Sequence, residues 1–452
     1  MLALYKKYVP AFVLNRLAKN PAPPQKPYSE TFQASALFAD IAQFTIVTEK
    51  IMSQSRTGLL ELAGVINKYL GRQIEIIDDY GGDIFKFAGD AVFAVWKAQD
   101  PNDLKSQTRK TVQCALAIQK ELSNFPIAKD IEVSLRIGIG AGPMTALSLG
   151  GLFERWEILV AGETVRQTAL AEKEALPGTV VVHPRAWKLL QRSGFGEKIS
   201  SKVFQLSKSA PDLGSVRQTP RIHSIEERAE EALRCYIPRS IVTIVGTDEK
   251  PTALEEQFAE RIVSVLFINI QDWSLDFPLE RLHRILQIVQ GCLYRYEGSI
   301  NRFGIEDKGS VILAAFGLPP LFHGDDPLRA MYAARDIVRE LSELGHRATT
   351  GVATGLVFCG PMGNDIRSEY TMHGNVVNLA ARLMQASDGV YCDAASYYLM
   401  EDLGFKPAPE SQDRAIHAAS RERLHFQALD PMQVKGRRDP VQVYRLKDLE
   451  RF

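Results

Sequence analysis

Neither sign of charge prevails in this chain. Its 452 residues carry 54 Lys and Arg against 54 Asp and Glu, a formal net charge of zero. The basic excess of a general nucleic-acid or anionic-membrane binder is missing, so any polyanion has to be held by local features. Cysteine is scarce as well. The five residues (Cys114, Cys235, Cys292, Cys359, Cys392) are odd in number and far apart, with no CxxC pair. Free thiols in a reducing compartment are expected, not a disulfide frame or a zinc site. No apolar run reaches a membrane-spanning length, so no membrane span is expected. The opening MLALYKKYVPAFVLNRL lacks the apolar core and cleavage site of a secretion signal, and a cytoplasmic location is the expectation. What the chain does have is 45% hydrophobic residues, enough for full cores, and a length that suggests two or three domains.

The chain also repeats itself. Tyr8-Val9-Pro10 returns as Tyr236-Ile237-Pro238, and SALFADIAQFT (35–45) as SVLFINIQDWS (264–274). YGGDIFKFAGD (80–90) returns as YEGSINRFGIED (296–307), LRIGIGAG (135–142) as ATTGVATG (348–355), and LVAGETVRQTALA (159–171) as TMHGNVVNLAARL (371–383). Five matches in one order mark a duplication. In each half an apolar, β-branched run precedes a helix with apolar residues three or four apart: Leu59, Leu62, Ile66, Tyr69 and Ile77, then Leu282, Ile285, Val289, Leu293 and Tyr296. Hairpins at Gly81-Gly82 and Gly298 follow, then helices over 106–123 and 327–344. This order predicts an α+β fold, with helices covering one face of each sheet. The expected divisions are a lead segment 1–30, a first domain 31–194, a linker with a short helix 195–255, and a second domain 256–446.

Chemistry is unevenly shared. In the first half Asp40 ends an apolar strand and Asp90 follows Gly89 in a hairpin. If these strands are neighbours, two hard carboxylates converge on a site suited to Mg²⁺ or Mn²⁺. The turn Ile41-Ala42-Gln43-Phe44-Thr45 leads toward a helix whose first amides suit a triphosphate. The second half has Asn269 at the place of Asp40 and Glu306 near that of Asp90. It carries instead Asn378 and Arg382, four apart on one helical face, an amide and a guanidinium suited to a ribose and a phosphoryl group. Arg166 and Leu170 stand at those positions in the first half. Read alone, Asp40 is also a plain helix cap and the Asn/Arg pair a surface stripe. Complementary loss is what one composite site between two halves predicts. His323, among acidic neighbours, is expected on an exposed loop, and His373 as a bystander.

FADIAQFT, GGDIFKFAGDAVFAVW, RIGIGAG and EYTMHGNVVNLAARLM resemble the signature blocks of class III nucleotidyl cyclases. The arrangement is similar to the tandem catalytic domains of the soluble, bicarbonate-responsive adenylyl cyclases and their bacterial relatives, over roughly residues 30–446. The resemblance implies two ferredoxin-like βαββαβ domains packed head to tail as an intramolecular pseudo-dimer, so that a monomer suffices. It implies ATP as substrate and cyclic AMP and pyrophosphate as products. Two divalent cations, Mg²⁺ or Mn²⁺ with Ca²⁺ admissible at one site, would be held by Asp40, Asp90 and the Ile41 carbonyl. Asn378 would position the ribose and Arg382 the phosphorus. Arg136 stands at a phosphate-binding lysine position, and Arg302 and Thr371 at the base-reading positions. Arginine only donates, which suits adenine N1 and not guanine. Lys86 and Val160 match the family's degenerate second site, where Ala169 replaces an anion-holding arginine and Ile305 and Glu306 replace apolar residues. A Lys86–Glu306 pair and weak or absent bicarbonate stimulation are expected. Related chains often continue into further C-terminal domains. A guanylyl cyclase and an inactive nucleotide- or anion-sensing relative are the alternatives; the Asn/Arg block and the duplication speak against a GGDEF-type synthase.

Overall fold

Leu37, Ala39 and Ile41 alternate with Phe38 and Asp40 along one long strand, and a pleated strand sends alternate side chains to opposite faces. All three are buried in one core, which puts Asp40 on the other face. The computed structural model describes residues 2–42, 58–100, 102–128, 131–190, 196–207, 226–246, 259–306, 309–404, 424–434 and 439–447.

The first half opens with helices α1 (Leu2–Lys6) and α2 (Ala11–Lys19). Then come β1 (Tyr28–Ile41), α3 (Gly58–Asp79), β2 (Asp83–Ala88), β3 (Ala91–Lys97) and α4 (Leu104–Leu122). A small ribbon, β4 (Phe125–Ala128) and β5 (Ile131–Val133), leads to the long β6 (Leu135–Gly150) and β7 (Trp156–Ala161). Helix α5 (Glu163–Lys173), β8 (Thr179–Val182), α6 (Pro184–Leu190), β9 (Gly196–Lys198) and β10 (Phe204–Leu206) complete it. Two short helices, α7 (Glu230–Arg234) and α8 (Arg239–Gly246), precede the second half. That half runs β11 (Ala259–Ile270), α9 (Leu279–Arg295), β12 (Ser299–Glu306), β13 (Gly309–Phe316), α10 (Asp326–Glu343), β14 (Ala348–Gly363), β15 (Ser368–His373), α11 (Asn375–Ala386), β16 (Val390–Asp393), α12 (Ala394–Asp402), β17 (Phe426–Ala428) and β18 (Val443–Leu446).

The strand orders are the same. The first sheet runs β2-β3-β1-β6-β8-β10-β9 with β7 on β6; the second runs β12-β13-β11-β14-β16-β18-β17 with β15 on β14. In each, the first four strands and two helices form the expected antiparallel βαββαβ core, while β8 and β16 add on in parallel. Two features differ from expectation. The first sheet continues through β9 and β10, inside the stretch read as linker. Helices also lie on both faces. Ile66, Tyr69, Leu70 and Ile74 of α3 pack on one side of the first sheet, as Leu282, Ile285, Val289 and Leu293 of α9 do on the second. Each such buried aliphatic side chain contributes about 1.5–3 kcal/mol. On the opposite face, α5 and α11 press directly onto the long strands. A Cβ on Gly138 would stand 2.2 Å from the Glu172 nitrogen, and one on Gly351 2.3 Å from the Met384 nitrogen. Only glycine admits that approach.

The lead segments cross over. Ser368 N–H and the Arg367 guanidinium of the second half donate to the Lys7 carbonyl at the start of the first half. Trp156 N–H and Arg155 of the first half donate to the Cys235 carbonyl at the start of the second. Tyr5, Tyr8, Val13 and Leu17 join Leu233, Tyr236 and Ile241 in one shared core.

Candidate active site

Strand register brings the two acids together. Asp40 lies beside Arg136 on β6, and the β1–β3 ladder runs to Ala39 opposite Val92, so the same register carried two steps further sets Ile41 against Asp90. The Ile41 amide bonds to the Asp90 carboxylate, and Asp90 lies within hydrogen-bonding reach of Asp40. Burial and the Asp40 charge push the Asp90 carboxyl well above the usual carboxylate range; burial also raises Asp40. Arg136 pairs with Asp40 and, at 3.0 Å, with Glu172 of α5. Burial, reinforced by Asp40 and opposed by Arg136, pushes Glu172 up to about 7.

The donor set fits a divalent cation. Asp90 Oδ2 is buried without a hydrogen-bond partner among the described residues, and two converging carboxylates short of positive charge are hard oxygen ligands. Among the described residues no group of three or more His, Cys, Asp or Glu forms a metal cluster, so the site rests on two carboxylates and a carbonyl. The Ala42 amide already donates to the Ser134 carbonyl at 2.8 Å, which removes it as a phosphate donor. Gln43, Phe44 and Thr45 lie outside the described residues.

In the second half Asn378 and Arg382 are both exposed on α11, and Arg382 Nη1 donates to Gln385 at 2.8 Å. Arg302 on β12 and Thr371 on β15 are half-buried, and the Asn301 side chain ties their strands by donating to the Tyr370 carbonyl at 2.9 Å. Tyr370 and Met372 point into the core, so Glu369, Thr371 and His373 share the opposite face of β15. Burial alone pulls His373 down to about 4.

Several expectations need correction. By register it is Ser310, opposite Ile270, that takes the place of Asp90, not Glu306. The cause is a longer hairpin: Lys86 corresponds to Arg302, but Val92 to Ile312. Asn269 Oδ1 and Ser310 Oγ are both buried without a hydrogen-bond partner among the described residues. Ile305 packs against its own core and not toward Lys86. Lys86 Nζ instead lies 3.9 Å from where a Gly304 β-carbon would stand. The Glu306 side chain is outside the described residues. Val160 is half-buried beside the Phe32 and Phe85 cluster, and Ala169 is exposed on α5. His323 is not on an open loop: it bridges Glu297 at 2.9 Å and Asp326 at 3.2 Å, its side chain 24% exposed.

Glu172 was not anticipated, nor was a repeated Arg-x-Glu ion pair, Arg155–Glu157 and Arg367–Glu369, at 3.0 and 2.8 Å. Its signal was present: each pair stands at the same distance before a matched block.

A twice-repeated ferredoxin-like sheet with converging strand-end acids in one copy defines a class. Residues 27–208 match the family model of the adenylate and guanylate cyclase catalytic domain, and the second half repeats the strand order of that stretch. More particularly, the chain is similar to adenylate cyclase type 10 of Oryctolagus cuniculus, 29% identical over 411 residues, and of Homo sapiens, 28% over 409. Each match covers 83% of this chain and 25% of the relative, so the chain spans about a quarter of those relatives. An uncharacterized protein of Mycobacterium tuberculosis is 33% identical over 228 residues, 48% of this chain and 36% of that one. Among solved structures, a class III adenylyl cyclase-like ATP-binding protein from Pseudomonas aeruginosa shares the fold over 86% of this chain and 92% of its own, with a TM-score of 0.53 and 12% identity. No described helix is long and apolar enough to cross a membrane.

Proposed function

We propose that this chain is an adenylyl cyclase, converting ATP to 3′,5′-cyclic AMP and pyrophosphate at one site shared by its two halves. The observation that carries the proposal is the division of the machinery: the acid pair stands in the first half alone, the Asn378/Arg382 pair in the second. The O3′–Pα bond forms as the bond from Pα to the bridging oxygen of pyrophosphate breaks, and the 3′-hydroxyl proton is released. Asp40, Asp90 and the Ile41 carbonyl would hold divalent cations, which would supply Lewis acidity and offset the phosphate charge. Arg136, beside Asp40, adds positive charge for the phosphates. Asn378 orients the ribose, and Arg382, exposed and bonded among the described residues within its own helix, meets the charge developing on phosphorus. Arg302 donates to adenine N1 with Thr371 beside it, which favours ATP over GTP. Both halves lie in one chain, so a monomer suffices, and a cytoplasmic setting is part of the proposal.

The test is the purified chain with Mg²⁺ or Mn²⁺ and ATP or GTP, the product identified by mass. Cyclic AMP from ATP is expected, and from residues 1–225 mixed with 226–452 but from neither fragment alone. Nucleotide binding without product would make the chain an inactive relative; a preference for GTP would overturn the base reading.

A further inference from the structure

Strand β2 is an edge strand, paired to β3 on one side only. Its register slips between Ile84 and Lys86, which leaves local backbone groups without a ladder partner. Those groups are satisfied from the other half of the molecule. Arg367 Nε donates to the Ile84 carbonyl at 3.1 Å and Nη2 to the Phe85 carbonyl at 3.4 Å. Glu369 Oε2 accepts from the Phe87 amide at 3.3 Å, while its other oxygen holds Arg367 at 2.8 Å. The guanidinium is buried and its carbon lies 5.5 Å from the Phe87 ring centroid. Asp90 follows three residues after Phe87 in the same hairpin; Thr371 follows Glu369 on the same face of β15.

We infer that Arg367 and Glu369 are positioning residues, a clamp that sets the acid-bearing hairpin of the first half against the base-reading strand of the second. This rests on the reading of the site as a shared cyclase centre. A carboxylate pair binds an ion well only if its strand ends are held within a fraction of an ångström, and an edge strand with a bulge does not hold itself. The mirror pair shows that the clamp is not a by-product of duplication. Arg155 reaches the Trp156 and Cys235 carbonyls, and among the described residues neither it nor Glu157 bonds to the backbone of β12. The clamp acts on the hairpin that carries Asp90, and the equivalent hairpin, which carries Ser310, lacks it.

The test compares Glu369→Gln, Arg367→Lys and Glu157→Gln in the full chain. Arg367→Lys keeps the charge beside Glu369 but cannot serve two carbonyls in a fork. Three readouts apply: amide hydrogen exchange of residues 83–97, Mn²⁺ affinity by electron paramagnetic resonance, and kcat and KM for Mn-ATP. For the first two variants we expect faster exchange in the hairpin and Mn²⁺ affinity weakened by about tenfold. We also expect kcat to fall more than KM rises. Glu157→Gln should leave Mn²⁺ affinity within about twofold. Unchanged Mn²⁺ affinity in both clamp variants, or an equal loss in Glu157→Gln, would overturn the inference. If the parent makes no cyclic nucleotide, the cyclase reading fails on its own, while exchange and Mn²⁺ binding still decide the clamp.

Discussion

Asp40, Arg136 and Glu172 of the first half stand where Asn269, Thr349 and Met384 stand in the second. The backbone around them is the same: one strand order, one pair of glycines beneath the pressed helix. The second half shows that this sheet closes without the acids. In the first half burial, reinforced by the Asp40 charge, raises the proton affinity of Asp90 and Glu172, a destabilising arrangement that a fold does not keep for its own sake. On the proposed reading, charge is kept where an ion and a triphosphate would need it.

The largest effect should come from the acids themselves. Asp40→Ala or Asp90→Ala is expected to lower turnover by about a thousandfold or more, while Asn269→Ala leaves it within about twofold. Asp90→Asn should also raise the thermal midpoint, since it removes a buried like-charge contact. Activity retained in either acid variant at unchanged metal concentration would end the metal assignment. Next come the helices. Asn378→Ala and Arg382→Ala should each reduce kcat by about 10²–10³ with a smaller change in KM. Arg166→Ala, at the position of Asn378 in the first half and paired there with Glu163, should change kcat little. Equal losses would refute a single shared site. Base choice should move less: Arg302→Glu with Thr371→Cys is expected to cost about tenfold in kcat/KM for ATP and to admit GTP.

A thermodynamic contrast is smaller again. The folded His373 titrates near 4 against an ordinary value of 6.5, so the folded state binds fewer protons between those values. Its contribution is fully present above pH 6.5 and is lost as pH falls toward 4, a change of about 3 kcal/mol at most. Urea midpoints across that range should show a flatter pH dependence for His373→Ala, the residue found at this place in the first half; an unchanged slope would refute the assignment. The smallest effect is expected from bicarbonate. With Ala169 exposed and no arginine there, rates at fixed pH and ionic strength should stay within about twofold across a millimolar titration. Robust stimulation would contradict this.

The duplication was legible because both halves keep their apolar alternation and their glycines, and these dictate the sheet. The meeting of Asp40 with Asp90 was legible too, since a strand end and a hairpin turn on neighbouring strands have few places to go. Ser310 was not, because counting along the sequence ignores a hairpin that lengthens between two matched blocks. Glu172 and the Arg367–Glu369 clamp were missed because their partners lie on other elements. Glu369 meets a backbone amide 282 positions away, and backbone groups leave no trace in residue type.

The crossed lead segments impose an order in time. Lys7 is bound by Arg367, 360 positions further along. At ordinary rates of synthesis, roughly 5–20 residues per second, Arg367 leaves the ribosome about 20–70 s after Lys7. The first half can complete its own sheet in that interval and seat α2 on it, since the Asp83 carboxylate accepts from the Ala11 and Phe12 amides at 2.7 Å, but the Lys7 carbonyl waits for Arg367 and Ser368. Tyr5, Tyr8, Val13 and Leu17 complete their core only when Val263, Val265, Tyr370 and Met372 of the second half arrive, so the crossing closes late in synthesis.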